Sequence, residues 1–245
     1  MAIWEPRAGV LFPETCIEAH LRLAQQLGAT VHTDEVVQSW GVEADAARVV
    51  TNRGSYSSGQ ILFCAGAWTD SLLSKLDLPL QIERQVQFWF EPCSNPDWFR
   101  PERCPIHIWE PEPESYFYGF PDLGQGVKLA MHHQGSLTHP DELDRVVKEV
   151  EIERMRGLAR KHLPEAPGTL RSTAVCMYTN TPDGHFLIDW HPEFPQVLIA
   201  SPCSGHGFKF ASAIGEVLAD LLTTRTSRFD LSLFGLDRLR RHSSP

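Results

Sequence analysis

The run from Val197 to Thr224 leaves few folds open to this chain. Val197–Ser201 is a short apolar strand, and Ser204-Gly205-His206-Gly207 is a turn rich in glycine. Beyond it Phe210, Ile214, Val217, Leu218 and Leu221 recur at steps of three and four, which predicts a helix to about Thr224 with one apolar face. A strand, a glycine turn and a helix in succession is the building unit of α/β domains. Backbone N–H groups at a helix start attract negative charge, and glycines let a ligand approach the backbone. Lys209 stands where its charge opposes the helix dipole, a poor choice on structural grounds alone. The plain reading is a tight turn with a solvated lysine and a surface histidine. Phe208 and Phe210 on either side favour a buried lysine with a function.

A second α/β piece lies at the start of the chain. Residues 14–28 predict a helix, with Ile17, Leu21, Ala24 and Leu27 at helical spacing and Gly28 as its stop. Thr30–His32, Val36–Trp40 and Ala47–Thr51 read as a small strand meander. Gln60–Cys64 is a strand-like run that leads through Ala65-Gly66-Ala67-Trp68 into a helix near Thr69–Leu76. From Pro79 the character changes, as prolines and aromatics become dense. Arg84–Phe90, Ile106–Trp109, Ser115–Phe120 and Gly126–Met131 predict an antiparallel sheet, followed by one long helix over Asp141–His162 and a strand over Leu170–Thr179. The tail 225–245 is basic and reads as partly loose. The expected fold class is α/β (α+β): an α/β domain split between residues 1–80 and 181–245, with an antiparallel-sheet domain inserted at 81–180.

Composition narrows the partners. The 245 residues suffice for one large domain or two small ones. A formal charge of -9 repels phosphate backbones, so no nucleic-acid partner is expected. The six cysteines, Cys16, Cys64, Cys93, Cys104, Cys176 and Cys203, form no C-x-x-C pair and no zinc-like spacing, which suggests a reducing, cytoplasmic setting. No signal peptide is visible at Met1-Ala2-Ile3-Trp4-Glu5, and Ser243-Ser244-Pro245 is no peroxisomal address. Apolar runs such as Ile61–Trp68 are too short to span a membrane, so no membrane partner is expected.

Two further clusters can carry chemistry. Cys176-Met177-Tyr178-Thr179-Asn180-Thr181-Pro182-Asp183 reads as a strand entering a turn, and a single strand cysteine is usually a small core residue. Tyr118-Gly119-Phe120-Pro121 and Lys128 flank a hairpin turn around Gly124-Gln125-Gly126. Lys128 and His132 share a strand face, and solvent is the simplest place for that lysine. His132 and His133, adjacent on a strand, should face opposite ways. With His185, His191 and His206 they form no metal-ligand spacing. The chain shows no G-x-S-x-G elbow, no P-loop and no G-x-G-x-x-G after an early strand.

Together these segments resemble the family of monomeric sarcosine oxidase and N-methyltryptophan oxidase, FAD-dependent amine oxidases. The resemblance runs from about Gly9-Val10-Leu11 to Leu233. It is most specific at Val175–Asp183 and Ser204–Phe210, with support from Tyr118–Pro121 and Gly66-Ala67-Trp68. It implies FAD as cofactor, bound covalently through a cysteine thioether at the position of Cys176. It also implies that Lys209 pairs with a substrate carboxylate, that His206, Tyr118 and Tyr178 line the substrate site, that His132 lies over the flavin, and that Lys128 activates oxygen. Gly66, Trp68, Ser204, Gly205, Gly207, Phe208 and Lys209 fall in segments that contact the cofactor. The implied reaction oxidises a small secondary amine or N-methyl amino acid, with molecular oxygen as acceptor and hydrogen peroxide as product.

The chain departs from the family in three ways. Its Met1 lies deep in the family pattern, so the Rossmann segment with G-x-G-x-x-G is expected to be missing, as is an arginine sharing the carboxylate with Lys209. Pro202-Cys203 also replaces the pair usual before Ser204. The missing segment leaves three readings, of which the first is preferred: a fragment or misassigned start of a full-length enzyme, half of a two-chain flavoenzyme, or a truncated binding or assembly module without catalysis; an FAD-dependent amino-acid dehydrogenase is a further alternative. An uncovered strand edge and helix face would make such a chain prone to self-association.

Overall fold

The computed structural model describes residues 2–240. Met1, the triplet Ser243-Ser244-Pro245 and the last five residues of the tail lie outside the described residues. The described residues divide into two compact units, one of residues 2–10 with 81–178, the other of residues 11–80 with 179–240.

The first unit is built on an antiparallel sheet. Its strands are β5 (Gln81–Phe90), β6 (His107–Glu112), β7 (Ser115–Phe120), β8 (Val127–His132), the short β9 (Ser136–Leu137) and β10 (Leu170–Asn180). The spatial order is β10-β5-β8-β7-β6, with β9 paired to β5. Alternation sorts each strand into two faces. Phe88, Phe90, Phe117, Val127 and Leu129 are buried and pack with Ile152, Met155 and Ala159 of helix α3 (Glu149–His162). Glu83, Gln85, Gln87 and Trp89 fall on the other side of β5, as do Lys128, Ala130 and His132 of β8. Between β7 and β8, Asp122 accepts the N–H groups of Gly124 and Gly126, closing the turn at 2.8 Å each.

The helix expected over Asp141–His162 is shorter. A 3₁₀ turn covers Pro140–Glu142, and α3 begins only at Glu149. Arg84, buried on β5, explains the gap: its guanidinium donates to the carbonyls of Asp144 (2.6 Å) and Val146 (2.9 Å), and to Glu151 (2.6 Å). Those carbonyls face the sheet instead of a helical N–H. Glu151 reaches back to the Lys148 N–H at 2.8 Å and caps the helix that does form.

The second unit contains helix α1 (Pro13–Gln26), the meander β1 (Val37–Glu43), β2 (Ala46–Thr51) and β3 (Ser55–Ser58), and a three-stranded sheet ordered β11-β12-β4. In that sheet β4 (Ile61–Phe63) runs parallel to β12 (Val197–Ser201), and β11 (Leu187–Trp190) pairs antiparallel to β12. β12 is buried along its whole length, as a central strand covered on both faces must be. Helix α4 (Ala211–Thr224) packs Val217, Leu218 and Leu221 against Ile188, Leu198 and Ala200.

Other expectations need correction here. Thr30–His32 is not a strand; the meander starts at Val37. The helix at Thr69–Leu76 is two pieces, α2 (Thr69–Leu72) and a 3₁₀ turn at Ser74–Leu76, broken at the buried Leu73. The described part of the tail is not loose. A 3₁₀ turn at Ser232–Phe234 and helix α5 (Asp237–Arg240) bury Leu236 and Leu239 beside Leu187, Val197 and Ile199. Arg238 holds that helix by pairing with Asp183 at 2.8 Å.

Candidate functional site

In the first unit, one face of the sheet gathers Tyr118, Lys128, His132, Cys176 and Tyr178. Register explains the gathering. Tyr118 of β7 lies opposite Ala130 of β8, Phe120 lies opposite Lys128, and Lys128 lies opposite Trp89 of β5. The Lys128 ammonium sits 5.1 Å from the Trp89 ring centre and 5.2 Å from that of Phe120. Two aromatic faces attract the charge and hold it over the sheet. The lysine is half-buried, so the expectation of a solvated side chain is corrected.

A chain of hydrogen bonds runs across this face. The hydroxyls of Tyr178 and Tyr118 are hydrogen-bonded to each other. The Tyr178 hydroxyl also lies 3.3 Å from His132 Nδ1. Burial pushes both phenols up, Tyr178 most, and the neighbouring Tyr118, Cys176 and Glu83 push Tyr178 further. Both phenols are therefore neutral donors at ordinary pH. Burial also pushes the Cys176 thiol up, while Lys128 and a hydrogen bond from Gln87 pull it the other way.

His133 does not face away from His132. Its φ is +53°, a left-handed turn at the end of β8, and the two imidazoles meet with ring centres 4.2 Å apart. His133 packs on Tyr178 and lies 3.5 Å from the Glu83 carboxylate, whose other oxygen accepts the Gly135 N–H at 2.6 Å. Glu83, Gln87 and His133 escape a reading of the sequence as site residues. The available signal is a polar residue at every second position of β5, Glu83, Gln85 and Gln87, and Arg84 between them blurs the alternation.

In the second unit, the turn after β12 carries Ser204 (φ +49°) and Gly205 (φ +73°) in left-handed conformations. Ser204 is buried, and its hydroxyl lies 3.3 Å from the Thr181 N–H and 3.2 Å from the Thr181 hydroxyl. Its own N–H donates to Thr179 at 2.9 Å. Ser204 thus ties the glycine turn to the end of β10. His206 Nε2 donates to the Gly184 carbonyl at 3.0 Å, and its ring tilts against Phe186. Lys209 is exposed in a 3₁₀ turn, Phe208–Phe210, that precedes α4. Phe208 and Phe210 are exposed as well, so the buried lysine expected from its aromatic neighbours is corrected. Gly66 (φ +53°) opens the 3₁₀ turn Gly66–Trp68, and its carbonyl accepts the Thr69 hydroxyl at 2.8 Å; Trp68 is exposed.

These sites belong to a flavoprotein fold. A family model described as FAD dependent oxidoreductase matches residues 1–221, and the chain belongs to that family. Within it, the chain is 41% identical over 243 residues to monomeric sarcosine oxidase of Streptomyces avermitilis, a match covering 98% of this chain and 63% of that protein. It is 32% identical over 240 residues to N-methyl-L-tryptophan oxidase of Salmonella dublin, covering 97% of this chain and 63% of that protein. The crystal structure of L-proline dehydrogenase from P. horikoshii shares the fold, with a TM-score of 0.79 and 21% identity over 95% of this chain and 61% of that one. The chain therefore spans about 63% of the length of the curated relatives it matches.

Proposed function

We propose that this chain carries the chemistry of an FAD-dependent amine oxidase acting on a small secondary amine or N-methyl amino acid of the sarcosine type. The observation that carries the reading is the single sheet face holding Cys176, Lys128, Tyr118, Tyr178 and His132. That face suits a flat, polar ring. It offers a half-buried sulfur and a cation held over aromatics, and Gln85, on the same side of β5 and only 3% exposed, has an amide nitrogen without a protein partner. In this reading residues 81–180 form the substrate domain, and residues 1–80 with 181–245 the FAD-binding domain.

FAD, when bound, supplies the acceptor for the hydride equivalent leaving the carbon beside the amine nitrogen. Cys176 anchors it covalently. Tyr118 and Tyr178, as neutral donors, orient the amino acid, with His132 fixing the Tyr178 hydroxyl. Lys209 and His206 contribute to carboxylate binding and the pocket lining. Gly66, Trp68, Ser204, Gly205, Gly207 and Phe208 shape the backbone that meets the cofactor; Ser204 does so by holding the turn to Thr181. Lys128 places positive charge where oxygen, the proposed acceptor, gains negative charge on its way to hydrogen peroxide. Such a preorganised group lowers the barrier by roughly 3 kcal/mol, about a hundredfold in rate. The free thiols fit a reducing, cytoplasmic setting.

The test is chromophore and turnover together. Protein precipitated in acid should keep a yellow, fluorescent band on a denaturing gel, and Cys176→Ser should release it. Peroxide should form with sarcosine, proline or pipecolate, and Lys128→Met should slow oxygen consumption about a hundredfold while an artificial electron acceptor still turns over. A band that survives Cys176→Ser removes the attachment site. Turnover with the artificial acceptor alone makes the protein a dehydrogenase.

A further inference from the structure

Gln87 has no place in the chemistry above, yet its side chain touches the two groups that matter most on this face. Its Nε2 lies 3.7 Å from Cys176 Sγ. The same side chain also interacts with the Tyr118 hydroxyl. With Nε2 set against the sulfur, the amide turns its donor end toward Cys176.

The placement is rigid. Gln87 pairs with Ala130 across β5 and β8, and its strand neighbours Phe88 and Phe90 are anchored in the core beneath. The backbone that carries the donor is therefore fixed inside the sheet, between β10 and β8. A neutral thiol is a weak acceptor, whereas a thiolate accepts strongly. An N–H aimed at sulfur thus favours the charged form. Lys128 supplies charge nearby, held against two aromatic faces, and Gln87 supplies an uncharged donor directed at the sulfur. Burial alone would leave Cys176 an inert core thiol.

We infer that Gln87 is a positioning residue for the Cys176 sulfur, orienting it and favouring its thiolate through the Nε2–H···Sγ contact. The purpose of that poise, reaction with the flavin ring, rests on the function proposed above, but the poise can be measured without flavin.

The measurement is the rate at which iodoacetamide alkylates Cys176 in the purified chain near pH 9, read by mass spectrometry, with the exposed Cys93 of the same chain as internal reference. Chains already bearing flavin at Cys176 are separated by mass. Losing one hydrogen bond to a charged acceptor removes about tenfold of the thiolate, and the higher nucleophilicity of the more basic sulfur offsets half of that on a log scale. Gln87→Met, close in shape but without the donor, should therefore react about threefold more slowly. Gln87→Glu, which sets a carboxylate against the sulfur, should be slower still. Gln87→Lys, which keeps an N–H and adds charge, should match or exceed the native rate. A merely structural role would slow or speed all three alike. Gln87→Met at the native rate, or Gln87→Lys as slow as Gln87→Met, overturns the inference. If the predicted order holds while no acid-stable flavin forms, the inference stands and the covalent reading falls. If the flavin adduct forms and the order fails, the reverse is true.

Discussion

Gly207 shows how a single residue can be fixed by its neighbours. Its backbone is ordinary for any residue, with φ -73°, so conformational freedom does not explain the glycine. Space does: a Cβ there would run into the carbonyl of Pro202, a backbone group that cannot swing aside. Pro202 lies just beyond β12, and Ser204 between them is already tied to Thr179 and Thr181. Gly207→Ala should therefore push the turn off the end of β10 at a cost of about 1–3 kcal/mol. Urea unfolding at neutral pH checks this. A midpoint unchanged from the native chain would mean that the turn relaxes freely. Gly205→Ala tests a different cause, because that position needs a left-handed φ of +73°.

Among the elements, those carried by local period are legible in the sequence. Helix α4, strands β5, β7 and β8 and the burial of β12 follow from spacing alone, because each element packs one face or both against its own unit. The segment before α3 is not legible, since no local window contains Arg84. That side chain is only 10% exposed and binds Asp144 and Val146, some sixty residues away. The candidate site divides in the same way. Tyr118, Lys128, His132, Cys176 and Tyr178 stand in motifs, while Gln87 and Glu83 acquire partners only when β5 takes its place between β10 and β8. His133 escapes because a left-handed φ cancels strand alternation. Arg84→Ala should cost about 3 kcal/mol, since it strands a partly buried carboxylate and two carbonyls. Burial alone would push Glu151 up, but Arg84 and the Lys148 N–H hold its carboxyl below the usual 4.5. Its contribution is therefore full above about pH 4.5 and is lost as pH falls through the lowered value. The stability gap between the native chain and Arg84→Ala should narrow as pH falls below 4.5. A gap that stays constant would assign the effect to packing of the arginine stem instead.

At the scale of the whole molecule, the described surface carries more apolar side chains than a soluble monomer needs. Helix α1 forms where its periodicity predicts, yet it buries none of its residues. Ile17 is 49% exposed, Leu21 43% and Leu23 54%, and Leu11 and Phe12 just before them are open as well. An amphipathic helix gains most of its stability from packing its apolar face, and a contiguous uncovered face seeks a partner. The net charge of -9 slows close approach without removing that drive. The chain should therefore self-associate at tens of micromolar, giving a light-scattering mass that rises with concentration. Ile17→Lys with Leu21→Lys should restore the monomer mass without loss of helix, because lysine is a good helix former and neither position is buried. Charge alone is controlled by Gln25→Lys with Gln26→Lys, which adds the same two charges at exposed polar positions of the same helix. If the control disperses the chain as well as the apolar pair does, association is electrostatic. A native chain that stays monomeric at every concentration would mean that α1 is held in another way.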